Sequence, residues 1–244
     1  MKKIVFVVFS CMFFSYAFSQ DSTSSAPAKT KITLSNRPSD HFMIQLSSDH
    51  WTGMPDSISS HQKGLSRGLN VYFMFDKPFR SSPKFSIGFG IGISTSNMVF
   101  KKVNIDLTAI APHLPFTHTD STNHFKKYKL TTGFVEVPIE FRYSSKPLQP
   151  NKSFKIAIGG RVGTLLNVHT KGKILLDKNG NTLNNYTEKE NSKRFMESTR
   201  FVATARVGYG IFSLFGAYQV NPILKDGSGP VMHMYQVGIT LSGL

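Results

Sequence analysis

Three groups of side chains in this 244-residue chain have types and spacings that chemistry uses. The first is Ser47, Ser48 and His50, with His169 far along the chain. A hydroxyl and an imidazole that meet make a nucleophile and its base, provided an acid orients the ring. The second is His113, His118 and His124 with Asp106 and Asp120. Imidazoles and carboxylates on one loop are metal-ligand types, and also the types that gather on any polar surface loop. The third is Glu136, Glu140, Arg142, Arg161, Arg200 and Arg206, whose alternation along strands suits mutual pairing inside a protein. No GxxxxGK[ST], HExxH, CxxC or GxSxG pattern is present. The Gly88-Phe89-Gly90-Ile91-Gly92 run has the composition of a nucleotide loop but opens no helix. Sequence therefore assigns no catalytic, cofactor-binding or metal residue, and the third group is read as a structural cluster.

The elements that must position these residues are strands. Between Phe85 and Ile93 every odd position is large and apolar and every even one is Ser or Gly, the period of a β-strand with one greasy face and one bare face. Seven more stretches alternate: about 41–48, 68–75, 132–143, 154–168, 199–209, 211–220 and 232–241. Val135, Val137, Ile139, Phe141 and Tyr143 oppose Glu136, Pro138, Glu140 and Arg142. Short turns at about 76–83, 144–151 and 210 alternate strictly with longer connections at about 49–67, 95–131, 169–198 and 221–231. That rhythm belongs to an up-and-down barrel with long loops at one end, and a Greek-key sandwich has no reason for it. A soluble core would not hold so many charges. A small barrel, whose interior is about filled by side chains, can pair them, with Gly88, Gly90, Gly92 and Gly159 leaving room.

Targeting signals agree. Lys2-Lys3, an apolar run over 4–14 and Ser-Tyr-Ala-Phe-Ser at 15–19 read as a signal peptide cleaved after Ser19. Residues 20–39, rich in Ser, Thr, Pro and Lys, read as a flexible leader, and 40–244 as the barrel domain. The single cysteine, Cys11, lies in the leader peptide, so the exported chain has no disulfide. The formal charge is +15, and loss of Lys2 and Lys3 lowers it to +13. In an exported protein this points to anionic lipid or glycan and not to nucleic acid. Lys101, Lys102, Lys126, Lys127 and Lys129 are candidates to hold lipopolysaccharide phosphates. Trp51, Tyr72, Tyr143, Tyr209, Phe212 and Tyr218 are candidates for an aromatic girdle.

The signal peptide, the 133–143 run Gly-Phe-Val-Glu-Val-Pro-Ile-Glu-Phe-Arg-Tyr with its Val137-Pro138 step, and the last three strands resemble the PorT-type outer-membrane β-barrel family. The resemblance implies an integral barrel of a Gram-negative cell envelope, of the kind that serves secretion or surface assembly. The expectation is an all-β, eight-stranded antiparallel up-and-down transmembrane barrel in the outer membrane, with both termini periplasmic and a packed polar lumen. Its expected role is non-enzymatic: structural, adhesive or part of a secretion assembly. No cofactor is expected. Expected partners are outer-membrane lipid and lipopolysaccharide, the barrel-assembly machinery, and an unidentified envelope protein. Two other readings stand beside it: a lipid-modifying enzyme with its site at the outer rim, and a soluble periplasmic lipocalin-like barrel with the faces reversed.

Overall fold

The computed structural model describes residues 42–62 and 65–243. The signal peptide and leader expected at 1–39 lie outside the described residues. Among the described residues there are eleven strands: β1 Phe42–Thr52, β2 Arg67–Pro78, β3 Phe85–Phe100, β4 Val103–Ile105, β5 Phe116–His118, β6 His124–Ser144, β7 Phe154–Leu176, β8 Thr182–Asn191, β9 Thr199–Tyr209, β10 Phe212–Gln219 and β11 His233–Ser242. One short helix, α1 (Asp56–Ser59), lies in the first long connection. The sheet runs β6-β3-β2-β1-β11-β10-β9-β7, and β6 pairs with β7 to close the ring. Eight antiparallel strands thus form a closed barrel. No backbone edge is left along it, as a strand structure in lipid requires. β8 pairs only with the upper part of β7, and β4 and β5 form a separate small hairpin.

The alternation that signals the strands is the alternation of the barrel wall. Outward positions are aliphatic or aromatic: Ile91 is 56% exposed, Ile158 64% and Leu214 64%. A soluble surface does not spread such residues in a continuous band, whereas a lipid-facing wall does. Inward positions carry Gln45, Asn70, Ser94, Glu136, Arg161 and Thr240, all buried. The faces are those of a membrane barrel, not the reversed faces of a lipocalin. At the turn end the connections are tight. The β9–β10 turn is Gly210-Ile211, with Gly210 at φ +62°, a left-handed conformation that glycine adopts without steric cost.

Three findings differ from the sequence reading. First, the wall is uneven. β3, β6 and β7 have 16, 21 and 23 residues, against 11, 8 and 10 for β1, β10 and β11. A strand crosses a bilayer in about 9–11 residues, so the β3–β6–β7 side, extended by β8, projects well beyond the apolar band. Second, the lumen is polar only in its membrane-level part. At the loop end the interior is an apolar core that includes Trp51, Met98, Phe100, Leu130, Val168 and Met196. The long connections fold down onto it and are tied to one another: the Leu114 amide donates to Ser228, Lys225 to Phe195 and Glu197 to Ile223. Third, Trp51 and Tyr72 point inward and are buried, so they do not belong to a girdle. Tyr72 sits between the outward Val71 and Phe73, and period two alone sends it inside. Tyr209, Phe212 and Tyr218 are exposed. Pro138 marks neither an edge nor a register slip against β3. Pairing skips Gly90-Ile91 opposite Val137-Pro138 and resumes in the same register.

Candidate functional site

At membrane level two glutamates on one face of β6 organise the lumen. Glu136 accepts from Tyr72 Oη at 2.5 Å and from Arg200 Nε at 2.8 Å, with Arg200 Nη2 on the same oxygen and Arg161 Nη1 at 3.5 Å. Arg161 also donates to Tyr72 Oη at 2.5 Å and to Gln236 Oε1 at 3.2 Å. Gln236 passes the chain to Asp49, 3.0 Å away. Arg200 reaches Ser94 at 2.8 Å and lies 4.3 Å from the ring centre of Phe134. Glu140, two strand repeats nearer the turn end, accepts from Arg142 Nε at 2.9 Å and from Arg206 Nη2 at 3.0 Å. Arg142 in turn sits 3.5 Å from Asp76. All six residues of the sequence cluster are therefore inside the barrel, in two groups, one per glutamate. Bare positions make this possible. A Cβ on Gly88 would lie 2.4 Å from Arg142 Nε, and one on Gly163 would lie 2.8 Å from Glu136 Cγ. Chemically the arrangement is turned on itself: each carboxylate is held by guanidinium groups, and the network orders side chains in place of presenting one.

Above the apolar band the projecting wall carries a different pattern. In register, Lys129 of β6 faces Lys171 of β7, which faces Lys189 of β8, and Lys127 faces Lys173. Residues opposite one another in a ladder share a face. Five lysines therefore stand on the outward face of three adjacent strands. Glu188 and Glu190 lie on the other face, opposite Gly172 and Thr170. Among the described residues none of the five lysines has an ion-pair partner; Lys129 donates to Asn97 at 2.6 Å. Like charges directly opposite destabilise a sheet. Burial, then Lys171 and Lys173, hold the Lys129 ammonium below its usual range. Burial, then Lys189, Lys129 and Lys171, do the same to His169, which is in register with Thr131 and Asn191 at the foot of the ladder. On the inner face Tyr128 fastens the wall to the loops: its hydroxyl donates to the Ile105 carbonyl at 3.0 Å and accepts the Ile105 amide at 2.9 Å. Burial pushes its pKa up to about 12.

The other sequence candidates fall as follows. Ser48 Oγ lies 2.9 Å from His50 Nε2, and the His50 ring stacks on Tyr235 at 5.0 Å. Asp49 points to the opposite, buried face, where it binds Ser47 and Gln236. Ser47 and Asp49 are thus separated from the Ser48–His50 pair by the barrel wall, and His169 is on the lysine wall. Of the loop histidines, His118 comes together with Asp120 and with His61, a residue of the first loop that sequence did not single out. Asp106 instead accepts from Thr108 in its own turn. Nothing local around His61 marks it; only the fold brings the two loops together. Lys171, Lys173 and Lys189 were also missed, because their meaning lies in the cross-strand register and not in their spacing.

A family model described as outer membrane protein beta-barrel domain matches residues 18–222. Among solved structures, Ail, the attachment invasion locus protein of Yersinia pestis, is similar at 10% identity and a TM-score of 0.33, over 84% of this chain and 99% of that one. Ail of Yersinia pestis in complex with the heparin analogue sucrose octasulfate is similar at 9% identity and a TM-score of 0.31, over 84% of this chain and 97% of that one. No curated protein sequence matches. The family match runs through β1 to β10. The chain belongs to the outer membrane protein beta-barrel domain family.

Proposed function

We propose that this protein is a closed, non-enzymatic outer-membrane barrel whose projecting β6–β7–β8 wall binds the phosphate groups of lipopolysaccharide. The observation that carries this is the lysine ladder. A row of unneutralised like charges, with the acids turned to the other face, costs stability unless an anion bridges it. Lys171 lies five residues beyond Leu166, an exposed apolar residue of the band. On a tilted strand that is on the order of 10–15 Å above the hydrocarbon, the level of headgroup and inner sugar phosphates. The role is structural or adhesive, in the envelope or in a secretion assembly of the PorT type. The chain is exported by its signal peptide and folded by the barrel-assembly machinery, with termini and short turns facing the periplasm. The Ser48–His50 contact on the outward side of β1 supports the rim-enzyme reading less well, since no carboxylate orients that ring among the described residues.

The test is binding of purified lipopolysaccharide to the detergent-folded barrel, with and without the substitutions Lys127→Gln, Lys129→Gln, Lys171→Gln and Lys173→Gln together. Affinity is expected to fall at least tenfold, and enzymatic removal of the lipid phosphates is expected to reproduce the loss. Equal binding by the fourfold variant rules the ladder out as the binding face.

A further inference from the structure

We propose that His61, His118 and Asp120, brought together where the first long loop meets the β4–β5 hairpin, bind a first-row divalent transition-metal ion. The donor atoms of the three side chains lie within 4.8 Å of one another, the tightest pair being His61 Nε2 and Asp120 Oδ2 at 2.9 Å. The two imidazole rings have centroids 4.7 Å apart and are inclined at 42°. Bonds of about 2.0–2.1 Å in a tetrahedral site place ligand atoms roughly 3.3 Å apart, so modest rotation of exposed side chains completes the geometry.

The placement of His61 makes the case. Its Nδ1 side is held by the Ser57 carbonyl at 2.8 Å and by Ser60 Oγ at 3.0 Å, which turns Nε2 toward Asp120 Oδ2, 2.9 Å away. The carbonyl on Nδ1 is the partner that metal-bound histidines commonly have on the ring nitrogen away from the metal, and it fixes tautomer and orientation. His124 repeats the device, with Nδ1 3.2 Å from the Thr122 carbonyl, and it lines the same recess as His61 and Asp120. It lies outside the cluster of three, and water supplies the fourth ligand. Both arms are held by backbone contacts. The Lys101 amide donates to the His61 carbonyl, the Thr119 amide donates to the Lys102 carbonyl, and His118 pairs with Val103. Two imidazoles and one carboxylate favour Zn²⁺ and its neighbours over Ca²⁺ or Mg²⁺. Lys102, whose Nζ is 3.7 Å from Asp120 Oδ1, competes for the carboxylate and keeps the affinity modest. Bound metal would staple the first loop to the second.

The test uses untagged full barrel in zwitterionic detergent, stripped with EDTA and titrated with Zn²⁺ by calorimetry, with Co²⁺ as a spectroscopic substitute. One saturable site is expected, together with a visible Co²⁺ band of nitrogen-containing low coordination. Affinity is expected to fall at least tenfold in His61→Ala, His118→Ala and Asp120→Asn, to stay unchanged in His113→Ala, and to rise in Lys102→Gln. The heat-dependent gel shift of each variant reports folding, and the Co²⁺ spectrum of the unsubstituted protein is independent of any variant. Absence of saturable uptake overturns the proposal. So does uptake that survives all three ligand substitutions, or a Co²⁺ spectrum of the hexaaqua ion.

Discussion

Glu136 takes hydrogen bonds from a tyrosine and an arginine, with a second arginine in ion-pair range, in a place bulk water does not reach. Such a pairing is weak support for stability as a whole, since apolar residues can replace it, but breaking it from one side strands a buried charge. Glu136→Gln keeps the shape and removes the charge facing Arg161 and Arg200. A loss of about 3–5 kcal/mol is expected, read as a lower urea midpoint for the folded barrel in detergent. Gly88→Val places carbon against Arg142 and is expected to cost about 1–3 kcal/mol. Gly216→Ala, where an added Cβ meets nothing within 4 Å, is expected to be near neutral in the same assay. His169 gives the pH prediction. Its imidazole is held below the ordinary range by burial and by three lysines, so the folded state prefers it neutral. The associated stability is complete above the unfolded value of about 6.5 and is lost as the pH falls through and below it. Protection of the β6–β8 wall against amide exchange, relative to the intrinsic rate at each pH, is expected to fall between pH 7.5 and 5, and His169→Gln to remove that part of the fall. Exchange that is unchanged by the substitution would mean that the wall loosens for another reason.

At the scale of the strand, the outward aliphatic band is what commits the barrel to lipid. Ile87 and Val137 are both on that face, and an arginine at mid-bilayer on it costs about 2–4 kcal/mol. Ile87→Arg and Val137→Arg are expected to lose that much in refolding titrations into lipid vesicles, and a near-neutral result would show that these residues do not face hydrocarbon. The same band explains how much of the fold could be read without coordinates. All eight barrel strands announce themselves because, within the membrane, the outside is apolar at every second residue while the inside is mostly polar or small, Met43, Met74, Val202 and Phe215 apart. Their upper ends do not. Along β3 the large residues Ile87 to Ile93 point out, but Met98 and Phe100 point in. Along β6 the outward positions turn into Lys127 and Lys129 while Tyr128 and Leu130 go inside. Beyond the bilayer the solvent is water, the pattern inverts, and a strand whose apolar face changes sides looks like a polar loop. This is also why β4, β5 and β8 were hidden in the long connections. The glutamates and arginines of the lumen were legible because their alternation falls wholly within the membrane-level part. His61 and the lysine partners on β7 and β8 were not, because contacts between distant strands and loops leave no spacing in the chain.

The whole molecule divides its charge by environment. Inside, carboxylates and guanidinium groups pair away from bulk water; outside, five lysines stand in register on one raised wall. Salt separates the two. Screening acts over about 10 Å at 0.1 M and about 3 Å at 1 M ionic strength, and buried pairs feel it far less. Raising the salt from the lower to the higher value is expected to abolish lipopolysaccharide binding while leaving the urea midpoint nearly unchanged. The interior also bears on transport. Ion conduction requires a continuous wet path, and here two successive barriers stand in it: the Glu136 and Glu140 networks at membrane level, and the apolar core beneath the folded loops. Moving an ion past the first means breaking a buried pair, and past the second means dehydrating it in a site without ligands, each several kcal/mol. Planar bilayers containing the refolded protein are therefore expected to show no stepwise conductance. Arg200→Ala with Glu136→Ala removes the upper of the two charged networks but leaves the Glu140 network and, above both, Trp51 and Phe100, whose ring centres lie 5.7 Å apart, sealing the second barrier. That double variant is also expected to remain silent, and channel steps from it would show that the charged lumen, and not the loop core, is what keeps this barrel shut.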